Sequence, residues 1–248
     1  MPVTQKLGCV VERVVAHGER VYTLALRPEK LVPRFRAGQF LHLALDPYDP
    51  SGFWPESRVF SIASPPAQRD AVRITYAVHG RFTARMESDL VEGRQVWIKM
   101  PYGDFVIDSG TDVVLFAGGT GITAFTAFLE GLTPDAHQSV TLAYGARTNS
   151  LLIYRDVVER CAQRLPSLDV SYFVENFVEN DGESDPVVEG RVRSTPGRVS
   201  VEAVWPRLGR PFDASFYISG PPPMLRTIGQ DLRARNISPE AIHIDAWE

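Results

Sequence analysis

The chain has 248 residues, a formal net charge of −4 and 44% hydrophobic residues. This length is enough to bury a large core, and it suits either one large domain or two small ones. The slightly acidic balance and the lack of a Lys/Arg cluster exclude a dedicated nucleic-acid or acidic-lipid surface, so partners are expected among small molecules and proteins.

Several other classes of protein are excluded by the residues that are missing. Residues 1–15 lack the uninterrupted apolar run of a signal peptide, and the most apolar stretch, residues 113–119, is too short to span a bilayer. A cytoplasmic location without membrane insertion is therefore expected. Two cysteines, Cys9 and Cys161, are too few for an iron–sulfur cluster, which needs about four. The five histidines show no metal-ligand spacing, so no metal site is predicted.

Two textures divide the sequence. Residues 6–105 contain short alternating runs, such as residues 20–26 and 72–78, separated by Gly and Pro, and this pattern predicts an antiparallel barrel. The rest of the chain alternates buried strands with helical stretches, which predicts a parallel α/β sheet. The predicted domains are residues 1–106 and 107–248.

The second half contains the longer predicted elements. Strands are expected at residues 112–117, 139–145, 169–174, 214–219 and 241–245. Helices are expected at residues 122–132, 151–164, 201–205 and 222–235. The segment of residues 175–197 is rich in acidic residues, Gly and Pro and shows little periodicity until Val187, so it is interpreted as an exposed loop or hairpin.

One barrel strand carries an Arg-x-aromatic-Ser motif, formed by Arg58, Val59, Phe60 and Ser61. Alternation puts Arg58 and Phe60 on one face of the strand and Ser61 on the other. An isolated strand arginine is most often a solvated surface charge. A ligand site is favoured because a second motif occurs later in the chain. The glycine-rich turn of residues 118–121 follows a buried strand and opens a helix, which is a context in which phosphate groups bind.

Four motifs in this order resemble the ferredoxin-NADP reductase superfamily over nearly the whole chain. They are Arg58-Val59-Phe60-Ser61, Gly118-Gly119-Thr120-Gly121, Gly220-Pro221-Pro222-Pro223-Met224 and Asp245-Ala246-Trp247. The resemblance implies an antiparallel Greek-key β-barrel domain that binds FAD. It also implies a following Rossmann-like α/β domain, with a parallel sheet, that binds NADPH or NADH.

The resemblance assigns roles in flavin binding. In the family the arginine pairs with the FAD pyrophosphate, the aromatic ring lies against the isoalloxazine and the serine hydroxyl bonds flavin N5, which falls here on Arg58, Phe60 and Ser61. Phe60 replaces the commoner Tyr, so it can stack but cannot make a phenolic hydrogen bond. Thr83 corresponds to a pyrophosphate-binding hydroxyl at a helix start, with an ordinary N-cap as the alternative. The cofactor-binding residues expected from these two segments are Arg58, Val59, Phe60, Ser61, Tyr76, Val78, Gly80, Arg81, Phe82 and Thr83.

The resemblance also assigns a nicotinamide site. Arg147 follows the second α/β strand without an acidic neighbour and favours NADPH; NADH stays open, since a surface arginine is equally consistent with the sequence. Ser219 stands in place of the usual Cys beside the nicotinamide. The residues expected to bind NAD(P)H are Gly119, Thr120, Gly121, Thr123, Arg147, Gly220, Pro221 and Met224.

The last motif completes the expected catalytic set of Ser61, Ser219, Asp245 and Trp247. By resemblance, Trp247 binds the cofactor by covering the flavin ring until nicotinamide displaces it. Asp245 is expected to help deliver a proton toward flavin N5 through Ser61. A terminal tryptophan packed on the protein surface is the alternative.

These residues lead to three hypotheses about function. The first is an FAD-dependent oxidoreductase that takes hydride from NAD(P)H and passes single electrons to a separate protein, such as a ferredoxin, a flavodoxin or an oxygenase component. The second is an NAD(P)H:flavin reductase that releases reduced free flavin, which Phe60 keeps open. The third is a non-catalytic nucleotide-binding or redox-sensing module, which is supported by Ser219 in place of the usual Cys and by Ala124 at a position that is often Pro in the family.

Overall fold

The computed structural model describes residues 3–108, 110–176 and 190–246. The chain divides into two compact units. The barrel unit comprises Met1–Val106 and Thr126–Gly131, and the α/β unit comprises Ile107–Phe125 and Leu132–Glu248. Within the described residues, no helix combines the length and the apolar composition needed to cross a bilayer.

The barrel unit is built on six antiparallel strands and one helix. The strands are β1 (Gln5–Ala16), β2 (Val21–Pro28), β3 (Phe40–Ala44), β4 (Ser57–Ser61), β5 (Val72–Ala77) and β6 (Gln95–Tyr102), and helix α1 (Arg81–Asp89) precedes β6. Their order in the sheet is β4-β3-β6-β1-β2-β5. The sheet nearly closes on itself, because the amide of Ala63, just after β4, donates to the carbonyl of Arg73 on β5 at 2.8 Å.

Alternation along these strands produces the barrel core. On β5, Val72, Ile74 and Tyr76 are buried, and Met86 of α1 packs into the same cluster. Full burial of an aliphatic side chain such as that of Val72 or Ile74 stabilises the fold by roughly 1.5–3 kcal/mol. Burial of alternate apolar side chains therefore fixes the strands of the barrel, including those that carry the candidate site residues.

The α/β unit contains a six-stranded parallel sheet with helices in the connections. Its elements in chain order are β7 (Asp112–Gly118), the start of α2 (Thr123–Gly131), β8 (Val140–Ala146), α3 (Arg155–Arg164), β9 (Leu168–Val174), β10 (Val192–Pro196), α4 (Val201–Val204), β11 (Ala214–Ser219), α5 (Pro222–Ala234) and β12 (Ile242–Asp245). The rest of α2, Thr126–Gly131, belongs to the barrel unit. The strand order is β10-β9-β8-β7-β11-β12. The chain thus runs outward from β7 to β10 and returns on the other side of β7. The predicted fold class, an antiparallel barrel followed by a parallel α/β sheet, is confirmed.

Two predicted elements differ from the structure. The helix predicted at residues 151–164 begins only at Arg155, because Tyr154 adopts a left-handed conformation (φ 60°, ψ 14°) that a continuous helix cannot contain. The loop or hairpin predicted at residues 175–197 includes a strand, since β10 pairs in parallel with β9. Of the five residues of β10 only Val192 is buried, which explains the weak sequence signal. Residues 177–189 lie outside the described part of the chain.

Candidate functional site

The strand order of the α/β unit locates a candidate site at the carboxyl ends of β7 and β11. These strands are neighbours, with Ser219 of β11 opposite Ala117 of β7, yet their connections leave in opposite directions. Diverging connections open a crevice at such a switch point, and ligands of parallel α/β sheets bind there. Residues directly after β7 and β11 are therefore the first candidates for binding.

Three glycines at this edge allow main chain to pack where a side chain would collide. A Cβ atom on Gly121 would lie 2.2 Å from the carbonyl oxygen of Ser219, and one on Gly118 would lie 2.5 Å from the sulfur of Met224. A Cβ atom on Gly220 would lie 3.0 Å from the amide nitrogen of Gly118. We call Gly118, Gly119, Gly121 and Gly220 the glycine cradle.

The cradle leaves room for a ligand at one position. Gly119 has a φ of 54°, in the left-handed region that glycine adopts without strain, and nothing lies within 4 Å of its Cβ direction. Amide groups exposed by a turn before a helix attract anions, and a diphosphate requires this close approach to main chain. The cradle therefore fits the diphosphate of a dinucleotide such as NAD(P)H.

A buried polar pair lies beside the cradle. Ser219 and Asp245 are opposite each other on β11 and β12, and each is only 4% exposed. The Ser219 hydroxyl donates to Oδ2 of Asp245 at 2.8 Å. One residue pair earlier on the same face, Tyr217 and His243 stack with ring centroids 4.5 Å apart, and burial lowers the pKa of His243. The hydroxyl of Ser219 thus helps to orient a buried carboxyl group at the carboxyl edge of the sheet.

The remaining residues predicted for the nicotinamide site differ in exposure. Thr120 is half-buried and Thr123 is buried. Arg147 is exposed just after β8, and Pro221 is exposed as the N-cap of α5. Met224 is half-buried and packs against the core beneath the cradle. Trp247 lies outside the described residues.

In the barrel unit, Arg58 is exposed on β4 and held by three neighbours. Its Nη1 donates to the carbonyl of Ser57 at 2.8 Å, and its guanidinium lies 5.0 Å from the centroid of the buried Phe82 ring. Its Nη2 donates to Glu56 at 3.1 Å, and Glu56 also pairs with Arg81 at 3.5 Å. The structure thus brings together Arg58, Arg81 and Phe82 from two separate predicted segments.

The start of α1 includes one of these arginines, because Arg81 is the first residue of the helix. Gly80 is its N-cap with a φ of 105°, and nothing lies within 4 Å of its Cβ direction. Thr83 is in the first turn rather than at the N-cap, and its hydroxyl accepts from the amide of His79 at 2.7 Å. The first turn has no acidic side chain. A helix start with two arginines nearby and no acidic side chain in its first turn fits a phosphate group.

The aromatic residues predicted to contact flavin lie partly in the core. Phe60 is half-buried and meets Tyr76 edge-on, with centroids 6.3 Å apart. Tyr76 is buried, its ring stacks on Tyr22, and burial raises the pKa of its hydroxyl. Val78 is half-buried against the same core. The ring of Tyr76 is therefore a core element.

Two further predicted residues lie on β4 itself. Val59 and Ser61 are each half-buried, and Ser61 is the last residue of the strand. Its hydroxyl therefore stands where the strand ends, three residues after Arg58 and one after Phe60.

Sequence reasoning missed Glu56. Its carboxylate joins two arginines that were predicted to bind phosphate. The available signal was its position two residues before Arg58, because alternate residues of an extended segment share a face.

Comparison with known proteins agrees with this architecture. A family model described as an oxidoreductase NAD-binding domain matches residues 115–230. The reductase component of phenol 2-monooxygenase from a Pseudomonas species is 29% identical over 221 residues, covering 87% of this chain and 58% of that protein. A flavohemoprotein from Rhizobium meliloti is 25% identical over 225 residues, covering 87% of this chain and 53% of that protein.

A solved structure matches along both chains. A ferredoxin NADP+ reductase from Neisseria gonorrhoeae with bound FAD and NADP superposes with a TM-score of 0.73 at 20% identity, covering 98% of each chain. By contrast, the chain spans a little over half of the length of the curated relatives it matches. Taken with the two folds and the match to the oxidoreductase NAD-binding model, these similarities support the predicted resemblance to the ferredoxin-NADP reductase superfamily, in which an FAD domain and an NAD(P)H domain form an oxidoreductase module.

Proposed function

We propose that the chain is a reductase module that binds FAD on the barrel unit, oxidises NAD(P)H bound at the glycine cradle and passes electrons singly to a separate acceptor protein. Bound FAD would supply the conversion of a two-electron hydride donor into single electrons. The acceptor class is a ferredoxin, a flavodoxin or an oxygenase component. The reductase component of phenol 2-monooxygenase, 29% identical to this chain, supports an oxygenase component.

The observation that carries this proposal is the glycine cradle. Gly121 allows the turn after β7 to rest on the main chain after β11, where any Cβ would collide with the Ser219 carbonyl oxygen. This leaves amides and the open side of Gly119 available to a diphosphate. No Lys follows the turn in the position that a P-loop would need. This favours binding of a dinucleotide over binding and hydrolysis of a nucleoside triphosphate.

The chain's own residues would supply binding and orientation. Arg58 would neutralise a phosphate of FAD while Phe60 covers an apolar ring from the barrel side. Ser219 would hold the Asp245 carboxyl group in one orientation through their hydrogen bond. Ser61 and Trp247 keep the roles that the resemblance implies, as part of the proposal.

The test is a visible spectrum of the purified full chain followed by separate anaerobic titrations with NADPH and NADH. Flavin bands near ~450 nm that bleach with one coenzyme are expected, and they also identify the coenzyme. Bound flavin that neither coenzyme reduces would point to a non-catalytic module. A colourless protein that binds no added FAD would refute the proposal.

A second function, reduction and release of free flavin, is favoured by one observation. The Arg58 side chain is 52% exposed, and Phe60 has no hydroxyl to add a bond to the flavin. Weakly held flavin is what such an enzyme requires. Gel filtration of the reduced protein separates the two functions, since an electron-transfer module keeps its flavin and a flavin reductase loses it.

A further inference from the structure

Two arginines of the barrel unit converge on one carboxylate. Glu56 accepts from Nη2 of Arg58 at 3.1 Å, and its second oxygen lies 3.5 Å from Nη2 of Arg81. Arg58 is on β4 and Arg81 is the first residue of α1, so the carboxylate joins two elements. An anion held by two guanidiniums near a helix start is in an environment that also suits a phosphate.

We propose that Glu56 is an affinity-determining residue, whose carboxylate competes with the diphosphate of FAD for Arg58 and Arg81 and so weakens flavin binding. The proposal rests on the proposed function, because it requires FAD on the barrel unit. Such competition would explain, at the level of one residue, why bound flavin exchanges with free flavin.

The charges favour competition. Two guanidiniums and one carboxylate sum to a single positive charge, whereas the arginines alone present two toward a diphosphate. A carboxylate that stays in place repels the ligand, and one that moves away gives up its own two ion pairs. Either way FAD binds more weakly than it would without Glu56.

The alternative is that Glu56 holds the arginines ready for phosphate, and the contacts oppose it. Arg58 has two other supports, the carbonyl of Ser57 and the ring of Phe82, so its position does not depend on Glu56. The Arg81 side chain remains 89% exposed despite the pair, so the contact restrains it little. Ion pairs this exposed are weak in water, and a phosphate with greater charge can displace the carboxylate.

The test measures the dissociation constant of FAD for the full chain and for Glu56→Gln, which keeps the shape and removes the charge. We expect Glu56→Gln to bind FAD about fivefold more tightly. Riboflavin, which has no phosphate, should bind the two proteins equally. High salt should shrink the difference for FAD, since these charges are exposed to solvent.

Glu12→Gln is the matched control. Glu12 pairs with Arg27 at 2.8 Å, and its side chain is 43% exposed against 42% for Glu56. It has the same chemistry on the same unit but pairs with β2, so its FAD affinity should equal that of the unmodified chain. Glu56→Lys should tighten FAD binding further than Glu56→Gln.

The outcomes separate this inference from the function it rests on. If the unmodified chain binds FAD and Glu56→Gln binds it equally or more weakly, competition is refuted. A riboflavin affinity that rises as much as that for FAD also refutes it, because the effect would not involve phosphate. If neither the chain nor its variants bind FAD, the proposed function itself fails.

Discussion

The two candidate sites are built from different parts of the polypeptide. In the barrel unit, the phosphate-binding candidates are charged side chains on the surface, Arg58 and Arg81, with Glu56 between them. In the α/β unit the candidate surface is main chain, and Gly121 rests on the carbonyl of Ser219. Substitutions in the barrel site should therefore change ligand affinity with the fold intact, whereas substitutions in the cradle should also reduce stability.

The largest effect is expected from Gly121→Ala. Its Cβ would lie 2.2 Å from a main-chain oxygen, so the turn must shift, and the free energy of unfolding of the α/β unit should fall by about 3 kcal/mol. Urea unfolding followed by circular dichroism measures this change. Gly131→Ala, in open space at the end of α2, is the control and should be neutral or slightly stabilising. Equal stability of the two variants would contradict a cradle made of tightly packed main chain.

Arg58→Ala should separate affinity from stability. Losing a charge-assisted phosphate contact should weaken FAD binding by about 1.5–3 kcal/mol, while the unfolding curve stays in place because the side chain is 52% exposed. Isothermal titration with FAD gives the first quantity. Arg27→Ala, an exposed arginine paired with Glu12, should leave FAD affinity unchanged. If Arg58→Ala lowered the stability of the protein but left its FAD affinity unchanged, the barrel site would not differ from the cradle in the expected way.

Ser219→Ala should have a moderate effect that falls within the α/β unit. Removing the hydroxyl deprives the buried carboxyl group of Asp245 of one donor, and the free energy of unfolding should fall by about 1–2 kcal/mol. The rate of flavin reduction by NAD(P)H should fall as well if the orientation of Asp245 is used. Ser215→Ala, earlier on the same strand and bonded to Thr111 at an exposed position, is the control and should cost less.

The smallest predicted effect is an acid sensitivity of the barrel unit. In the folded state, hydrogen bonds from Arg20 and Tyr22 hold the pKa of Glu87 below its ordinary value of 4.5. The ionised Glu87 carboxylate therefore stabilises the fold above about pH 4.5. That stabilisation is lost as the pH falls through the pKa of Glu87 in the folded state. The stability gap between the unmodified chain and Glu87→Gln should therefore narrow from pH 7 to pH 3. Parallel curves would show that Glu87 contributes nothing.

Most secondary structure could be predicted from local pattern. Strand β7 and helix α5 match their predicted ranges to within one residue, because β7 is a short, continuously apolar strand buried on both faces and α5 buries one face at the helical period of 3.6. Prediction failed where the pattern was weak or locally overridden. Strand β10 buries only Val192, and the left-handed Tyr154 delays the start of α3.

Site residues could be proposed only one segment at a time. The motif around Arg58 and the turn at residues 118–121 are contiguous in sequence, so each was visible. Their partners were not, because Arg81 meets Glu56 and Gly121 meets Ser219 across 25 and 98 residues. Such contacts depend on strand order, which no local pattern contains.

By itself the sequence determined the fold class and the order of the motifs, since periodicity and motif spacing are properties of residues that are close in the chain. Only the tertiary structure decided which polar groups meet. It paired Ser219 with Asp245 by placing β12 beside β11, and it set one carboxylate, Glu56, against two arginines. Burial and pairing arise when distant segments pack together, and they decide whether a charged or polar side chain faces water, a partner or a ligand.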